Sequence, residues 1–574
     1  MPGTWIKLNT APGFGASTML LLTDGSVMCQ ESGGVRWSKL TPDDSGSYIN
    51  GTWTPLAPML NTRLYYASAV LRDGRVIVCG GEYSNAGSET NKCEIYDPVT
   101  DTWTALAPPA GWTNIGDAAA CLLPDGRLIM GYYQGVKTAI YDPIAGSWSA
   151  GPDKGDSASE ETWTLLPDGT VLTVQCSNTP FAEKYLPSSN KWVKAGTLVA
   201  NLVETASLEI GPAVALPDGR AFCVGATNHT AIYTPPANPS QQGTWAAGPD
   251  FPAMNGQTLG AKDAPGCLLP NGRVLCVAGP VDGLRDSYLG PTYFFEFDGK
   301  KLVRVSDPPN ATGVPYEGRM LMLPSARVLF AAGTNEIYNY VPDKRTYPVA
   351  WQPVITSVPA FMLPGTSHTL QGRQITGLSH ASVYGDDATM ASNYPIVRLN
   401  HANGKTYYCR TTGHSTMGIA TGAALHSTNF HVPSGVPGGR VEITVVSNGI
   451  YSKPVSSFVF DFHWPRFEDI EAWQFLLGSL ADGPLWAWGP NGPVPVDPWG
   501  PDVVREATAA RRQMLTAMRT LQRIGSQVVQ VRTNAAAAIP PAVDLDALGE
   551  GGDEKKTAKK KTVAKVAKAK KRKK

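Results

Sequence analysis

Seven times between Met19 and Phe330 a short apolar run meets a polar turn and a second apolar run, as in MLLLTDGSVMC, AVLRDGRVIVCGG, CLLPDGRLIMG, TLLPDGTVLTV, VALPDGRAFCVG, CLLPNGRVLCVAG and MLMLPSARVLFAAG. Asp-Gly or Asn-Gly between apolar runs predicts a tight β-hairpin, with both turn residues expected at positive φ. After four of the hairpins comes a tyrosine followed by a tryptophan: Tyr96 with Trp103, Tyr141 with Trp148, Tyr185 with Trp192 and Tyr233 with Trp245. Each unit therefore holds four strands.

The turn glycines Gly25, Gly74, Gly126, Gly169, Gly219 and Gly272 recur every 43–53 residues, a period similar to that of kelch-type propeller blades. The expected fold is all-β, with a seven-bladed propeller over residues 1–350. Thr4 to Leu8 has the form of a blade's last strand without a hairpin before it, and the seventh hairpin lacks such a strand, so the N-terminus is expected to close the ring. From about Trp351 short alternating segments predict an immunoglobulin-like β-sandwich over 351–462. Residues 463–535 are expected to hold a short helix, a Pro/Gly/Trp-rich stretch and a longer amphipathic helix able to pack on the propeller or on a second copy. Residues 536–574 are expected to be a disordered linker and tail.

Composition suits a large globular β protein, with 59 Gly and 47 Pro among 574 residues to serve many turns. No apolar stretch approaches a membrane span or a secretory leader, so the chain reads as cytoplasmic, with unconventional export left open. The nine cysteines agree with this. Aligned on the turns, Cys29, Cys223 and Cys276 share one strand position and Cys121 and Cys267 another, which marks apolar core fillers, and all are expected to be reduced.

Charge changes the picture at the C-terminus. Lys555 to Lys574 holds twelve basic residues and no acid; the rest of the chain has 37 basic against 48 acidic residues, so the net +1 conceals an acidic body and a polycationic tail. Such a tail can hold nucleic acid or an anionic surface by counterion release. It can equally lie on its own acidic body or act only as a solubilising tail.

Propeller chemistry concentrates where the innermost strands begin. Eight residues before each turn aspartate or its equivalent stand Ala16, Tyr65, Asp117, Glu160, Ile210, Asp263 and Glu317, with Glu209 beside Ile210. Converging carboxylates repel and need a cation, shared protons or ordered water. Asp117, Glu160, Glu209 and Asp263 are therefore candidate ligands for a cationic group or a hard metal ion; the alternative is that each accepts backbone N–H bonds locally.

Arg63-Leu64-Tyr65-Tyr66 before Asp73-Gly74, Gly80-Gly81-Glu82-Tyr83, Pro315-Tyr316-Glu317-Gly318-Arg319, Tyr384-Gly385-Asp386-Asp387 and Gly413-His414-Ser415-Thr416-Met417-Gly418 carry a resemblance to the galactose oxidase and glyoxal oxidase superfamily, kelch propellers followed by an early-set domain. The resemblance implies a copper ion held by two tyrosines and two histidines. It gives Tyr65 the place of the cross-linked tyrosine, Tyr83 that of the stacking aromatic, Tyr316 that of the axial tyrosine and His414 that of the histidine from the second domain. The match is degenerate: Glu317 stands where a histidine is expected, no cysteine occurs near Ala16 or Ser17, and Tyr83 replaces the usual tryptophan. Carboxylate for imidazole shifts preference from copper toward harder cations.

The chain is therefore expected to be a binding or scaffold protein, leaning away from an enzyme, whose acidic channel mouth takes a cationic, metal or hydroxylated ligand such as a carbohydrate or basic peptide. The alternative is a copper- or other metal-dependent oxidase of alcohols or aldehydes, with Tyr65 and Tyr316 as catalytic candidates and Tyr65, Tyr316, Glu317 and His414 as the metal set.

Overall fold

The computed structural model describes residues 3–459 apart from 86, 282–288 and 385–389, together with short strands at Trp486–Gly489, Gly492–Pro495 and Ala542–Asp544. The helices expected over 463–535 and the tail from Lys555 to Lys574 lie outside the described residues. Seven sheets, each with a four-stranded core, form the blades of an all-β propeller. Among the described residues, helix is limited to single 3₁₀ turns at Pro315–Glu317 and Val349–Trp351, and no helix is long and apolar enough to cross a membrane.

The first blade runs Ala16–Leu21, Val27–Glu31, Trp37–Thr41 and Thr52–Leu56, and the next five follow the same order from the axis outward. In the seventh, Gly318–Met322, Val328–Ala332 and Tyr338–Val341 are completed by Thr4–Lys7 from the other end of the chain, with Thr4 opposite Val341 and Lys7 opposite Tyr338. That pairing covers the edge of the last blade.

The hairpin turns differ from the expected two-residue form. In all seven, the N–H of a leucine (Leu22, Leu71, Leu123, Leu166, Leu216, Leu269, Leu323) donates to the residue four on, and its carbonyl accepts from the residue three on. Only the last turn residue takes positive φ, as Gly74 does at 89°, which is a type I turn closed by a left-handed glycine. The aspartate stays right-handed because its side chain caps the turn: Asp73 Oδ1 accepts the N–H of Arg75 at 3.1 Å and Asp168 Oδ1 that of Thr170 at 3.0 Å. In the seventh turn Ala326 takes the glycine's place at φ 61°.

Each tyrosine–tryptophan pair faces across the third and fourth strands, with ring centroids 5.0–5.5 Å apart in blades 2 to 5. The inner two strands are apolar and buried, and their side chains form the inter-blade core.

One cysteine expectation is overturned. Cys79 and Cys93 are joined as a disulfide between the second and third strands of blade 2. They stand directly opposite each other in the ladder, with Cα atoms 4.1 Å apart. An alignment centred on the hairpin turns compares the first two strands of each blade and misses a partner on the third. The seven other cysteines are free and buried.

Beyond the propeller the expected sandwich is one nine-stranded sheet bent into a half-barrel. Thr406–Thr412 makes the bend, because its first residues pair with Ile396–His401 and its last with Leu425–His431. Met362, Leu370, Val397, Leu399, Phe430, Val441 and Ile443 fill the inside. This unit packs on the turn ends of blades 1 to 3: Thr411 N donates to Thr23 O at 3.0 Å, Gly413 N to Arg72 O at 2.8 Å and Met417 N to Pro124 O at 2.9 Å. One of its strands, Ser382–Tyr384, leaves the sheet and pairs with the innermost strand of blade 6, Tyr384 opposite Pro265 and Ser382 opposite Cys267.

Candidate functional site at the channel mouth

At the end of the inner strands away from the hairpin turns, the loops entering blades 4, 5 and 6 bring Glu160, Glu209 and Asp263 together, each offering a carboxylate oxygen within 4.8 Å of the others. Glu209 is buried; Glu160 and Asp263 are half-buried. Glu160 and Asp263 adopt left-handed φ values of 58° and 45°, and so does Leu208 beside Glu209, at 66°. Side chains other than glycine take this conformation at a cost of about 1–2 kcal/mol per residue, so the surrounding structure must impose it.

The other side of the mouth is aromatic. Tyr65 and Tyr83, both from blade 2 and also left-handed (φ 46° and 50°), have ring centroids 6.1 Å apart at an interplanar angle of 69°. Tyr316, at the entrance to blade 7, lies 6.3 Å from Tyr65, again edge-on. The ring parallel to Tyr65 is Tyr384, 6.3 Å away at 14°, and it arrives on the strand threaded into blade 6. Arg319 places its guanidinium carbon 3.5 Å from the Tyr384 ring centre and 5.6 Å from that of Tyr65. The Tyr384 hydroxyl donates to Tyr316 O at 2.9 Å, and Arg319 Nη1 donates to the same carbonyl at 2.6 Å.

The two sides adjoin. Burial first, then the charges of Glu317, Tyr83 and Asp263, push the Tyr316 phenol up; burial, then Glu82 and Asp117, do the same to Tyr83. These phenols therefore stay protonated at neutral pH and act as hydrogen-bonding hydroxyls. Asp117 lies on the Tyr83 side, outside the three-carboxylate cluster. The exposed Glu317 folds toward Gly313, where a Cβ would sit 2.3 Å from Glu317 Oε2, and burial raises its carboxyl above the usual range. Ala16 and Ile210, the remaining positions of the repeat, are fully buried.

His414 is placed elsewhere. It is buried where the second unit meets the turn end of blade 2, with Nδ1 2.9 Å from Thr428 Oγ1, its ring stacked on Tyr394 and its carbonyl accepting from Arg72. Tyr65 opens the same inner strand that Arg72 and Asp73 close, so a whole strand separates the two side chains. Tyr384, a position reached only through the threaded strand, takes the stacking place expected for Tyr83.

Copper does not fit the residues described at the mouth. Of the seven described histidines, His229, His368, His401, His414, His426 and His431 are held by partners elsewhere, and His380 stands at the turn end of blade 6, where Ala381 O accepts from Leu268 N. The described donors at the mouth are carboxylates and phenols, which suit hard cations.

A kelch motif model matches residues 63–110, the loop and strands of blade 2. Galactose oxidase of Gibberella zeae is 37% identical over 83 residues, 14% of this chain and 12% of that protein. The chain thus carries a kelch motif in blade 2 and is similar to galactose oxidase over part of its length. Other relatives of this kelch propeller are Kelch-like protein 23 of Homo sapiens, 25% identical over 187 residues (30% of this chain, 31% of that protein), and Kelch-like protein terF of Aspergillus terreus, 33% identical over 128 residues (21% and 26%). The matches span about a third or less of these relatives. The solved structure of a novel fungal alcohol oxidase of the AA5 family in complex with copper aligns at TM-score 0.45 and 14% identity, covering 80% of this chain and 99% of that one.

Proposed function

We propose that this kelch propeller is a binding or scaffold protein whose channel mouth receives a hard cation or the cationic or hydroxylated group of a larger ligand. The observation that carries this reading is the convergence of Glu160, Glu209 and Asp263 from three successive blades to within 4.8 Å. Carboxylates gathered at that spacing suit a positively charged group among them. Tyr65, Tyr83, Tyr316 and Tyr384 would supply an aromatic wall with hydroxyls at its rim, a surface suited to a sugar ring or to the stem of a basic side chain.

The test is a titration with terbium, a hard trivalent ion whose luminescence is sensitised by nearby tyrosine, on the full chain and on Glu160→Gln. The expected result is saturable binding weakened at least tenfold in the variant, about 1.4 kcal/mol. Equal emission from both proteins would refute the carboxylate cluster as a cation site.

The second reading, a metal-dependent oxidase of alcohols or aldehydes, is favoured by the contact of Tyr65 with Tyr316. Peroxide production that depends on an added metal ion and is lost in Tyr65→Phe would support it. A role for Lys555 to Lys574 in holding nucleic acid or an anionic surface would show as salt-sensitive retention that disappears when the tail is deleted.

A further inference from the structure

Below the mouth, the loops entering blades 2, 4, 5 and 6 are held by buried ion pairs. In the loop entering blade 2, Arg63 pairs with Glu94, and neither side chain has any exposure. Arg63 Nη1 also donates to the carbonyls of Gly80 and Lys92 at 2.7 and 2.8 Å, while Glu94 accepts the N–H groups of Leu60 and Asn61 at 2.6 and 3.1 Å. In the loop entering blade 4, Lys154 Nζ lies 2.8 Å from Glu161 and 2.7 Å from Glu183. Trp163 Nε1 and Thr173 Oγ1 donate to the second oxygen of Glu161 at 3.0 and 3.1 Å, and Gly155 N donates to Glu183 at 2.8 Å. Between the loops entering blades 5 and 6, Lys262 Nζ lies 3.6 Å from Glu204, whose carboxylate also accepts the N–H groups of Ala206 and Ser207 at 2.9 Å.

Every clamp adjoins a mouth residue. Tyr65 comes two residues after Arg63, Glu160 immediately precedes Glu161 and Asp263 immediately follows Lys262. Glu209 is tied to the third clamp through its carbonyl, which accepts from Glu204 N at 2.9 Å. Tyr65, Glu160 and Asp263 are the same residues that adopt left-handed backbone. Two of the clamps also share a repeat position, since Glu94 and Glu183 both stand two residues before the tyrosine of the third strand, Tyr96 and Tyr185.

A buried ion pair adds little net stability over an apolar pair of the same volume, because desolvation cancels most of the attraction. Residues that gain so little by being charged, placed beside backbone that is costly to hold, have the character of devices that impose a conformation. We propose that Arg63–Glu94, Lys154–Glu161–Glu183 and Lys262–Glu204 are positioning clamps that force the loop residues of blades 2, 4, 5 and 6 into the channel and so set the affinity of the mouth for a hard cation. The affinity part rests on the cation reading above; the positioning part stands on geometry.

The test replaces one clamp by neutral side chains of similar size in the full chain: Lys154→Met with Glu161→Gln and Glu183→Gln. Thermal unfolding, terbium titration and a crystal structure are the readouts, with Lys262→Met plus Glu204→Gln as a second variant should the first fail to fold. The expected result is a folded protein with a melting temperature near that of the parent, terbium affinity lowered at least tenfold, and a Glu160 carboxylate (Asp263 in the second variant) displaced from the cluster. A folded variant with parental affinity and an unmoved carboxylate overturns the proposal. If the parent itself takes up no terbium, the cation reading fails, and the position of Glu160 or Asp263 in the variant structure alone decides whether the clamps position it.

Discussion

The two ends of the inner strands use the same backbone conformation for opposite purposes. At the turn end, left-handed φ falls on glycine in six of the seven hairpins, where it costs little, and the turn chemistry repeats from blade to blade. At the mouth it falls on Tyr65, Glu160 and Asp263, where it is costly and where the side chains change from blade to blade. Repetition at one end marks the part that builds the wheel; strain and variety at the other mark the part proposed to bind.

The sharpest way to probe the turn end is acid. Burial first, then the charge of Arg72, hold the His414 imidazole down to about 3, and burial holds His380 down to about 4. Both lie where the second unit meets the turn end. In the unfolded chain both would bind protons below about pH 6.5. Stability is therefore full above 6.5 and falls as pH drops toward 4, by about 1.4 kcal/mol per unit for each histidine still neutral in the fold. The expected total by pH 4.5 is several kcal/mol, measured by denaturant unfolding against pH. His414→Gln should flatten the slope, and an unchanged slope would show that this histidine is already protonated in the fold.

Smaller effects separate the ends by substitution. Gly74→Val, at φ 89° with the Thr23 hydroxyl 3.0 Å from the added Cβ, should destabilise by about 2 kcal/mol and leave terbium binding intact once folded. Glu160→Gly should do the reverse, leaving the melting temperature unchanged or raised by the equivalent of about 1 kcal/mol while removing the ion. A large loss of stability in Glu160→Gly would mean that its carboxylate is structural, and the contrast between the ends would collapse.

Much of the mouth was legible in advance. Counting back from each turn located Asp117, Glu160 and Asp263, because every inner strand has nearly the same length and a period carries side chains to equivalent places. The same count gave Glu317, whose carboxylate the structure turns toward Gly313. Tyr384 lies in a motif of the second unit and has no place in the count, since it comes from outside the repeat. His414 lies in an equally suggestive motif, yet its loop is held at the opposite end by Arg72 and Pro124.

The order of side chains around the axis follows from the sequence alone: periodic hairpins, a tyrosine–tryptophan pair on the outer strands and an orphan strand at the N-terminus leave one way to close seven blades. Radius and height do not follow. Only the tertiary structure decided that three carboxylates meet within 4.8 Å while Asp117 stands apart, and that a strand of the second unit climbs the channel to lay Tyr384 parallel to Tyr65. The reason is that blade geometry is local, written in turns and alternation every few residues, whereas the reach of a loop into the channel depends on contacts within and between the loops, such as the buried Lys154 and Lys262 pairs, whose partners differ from blade to blade.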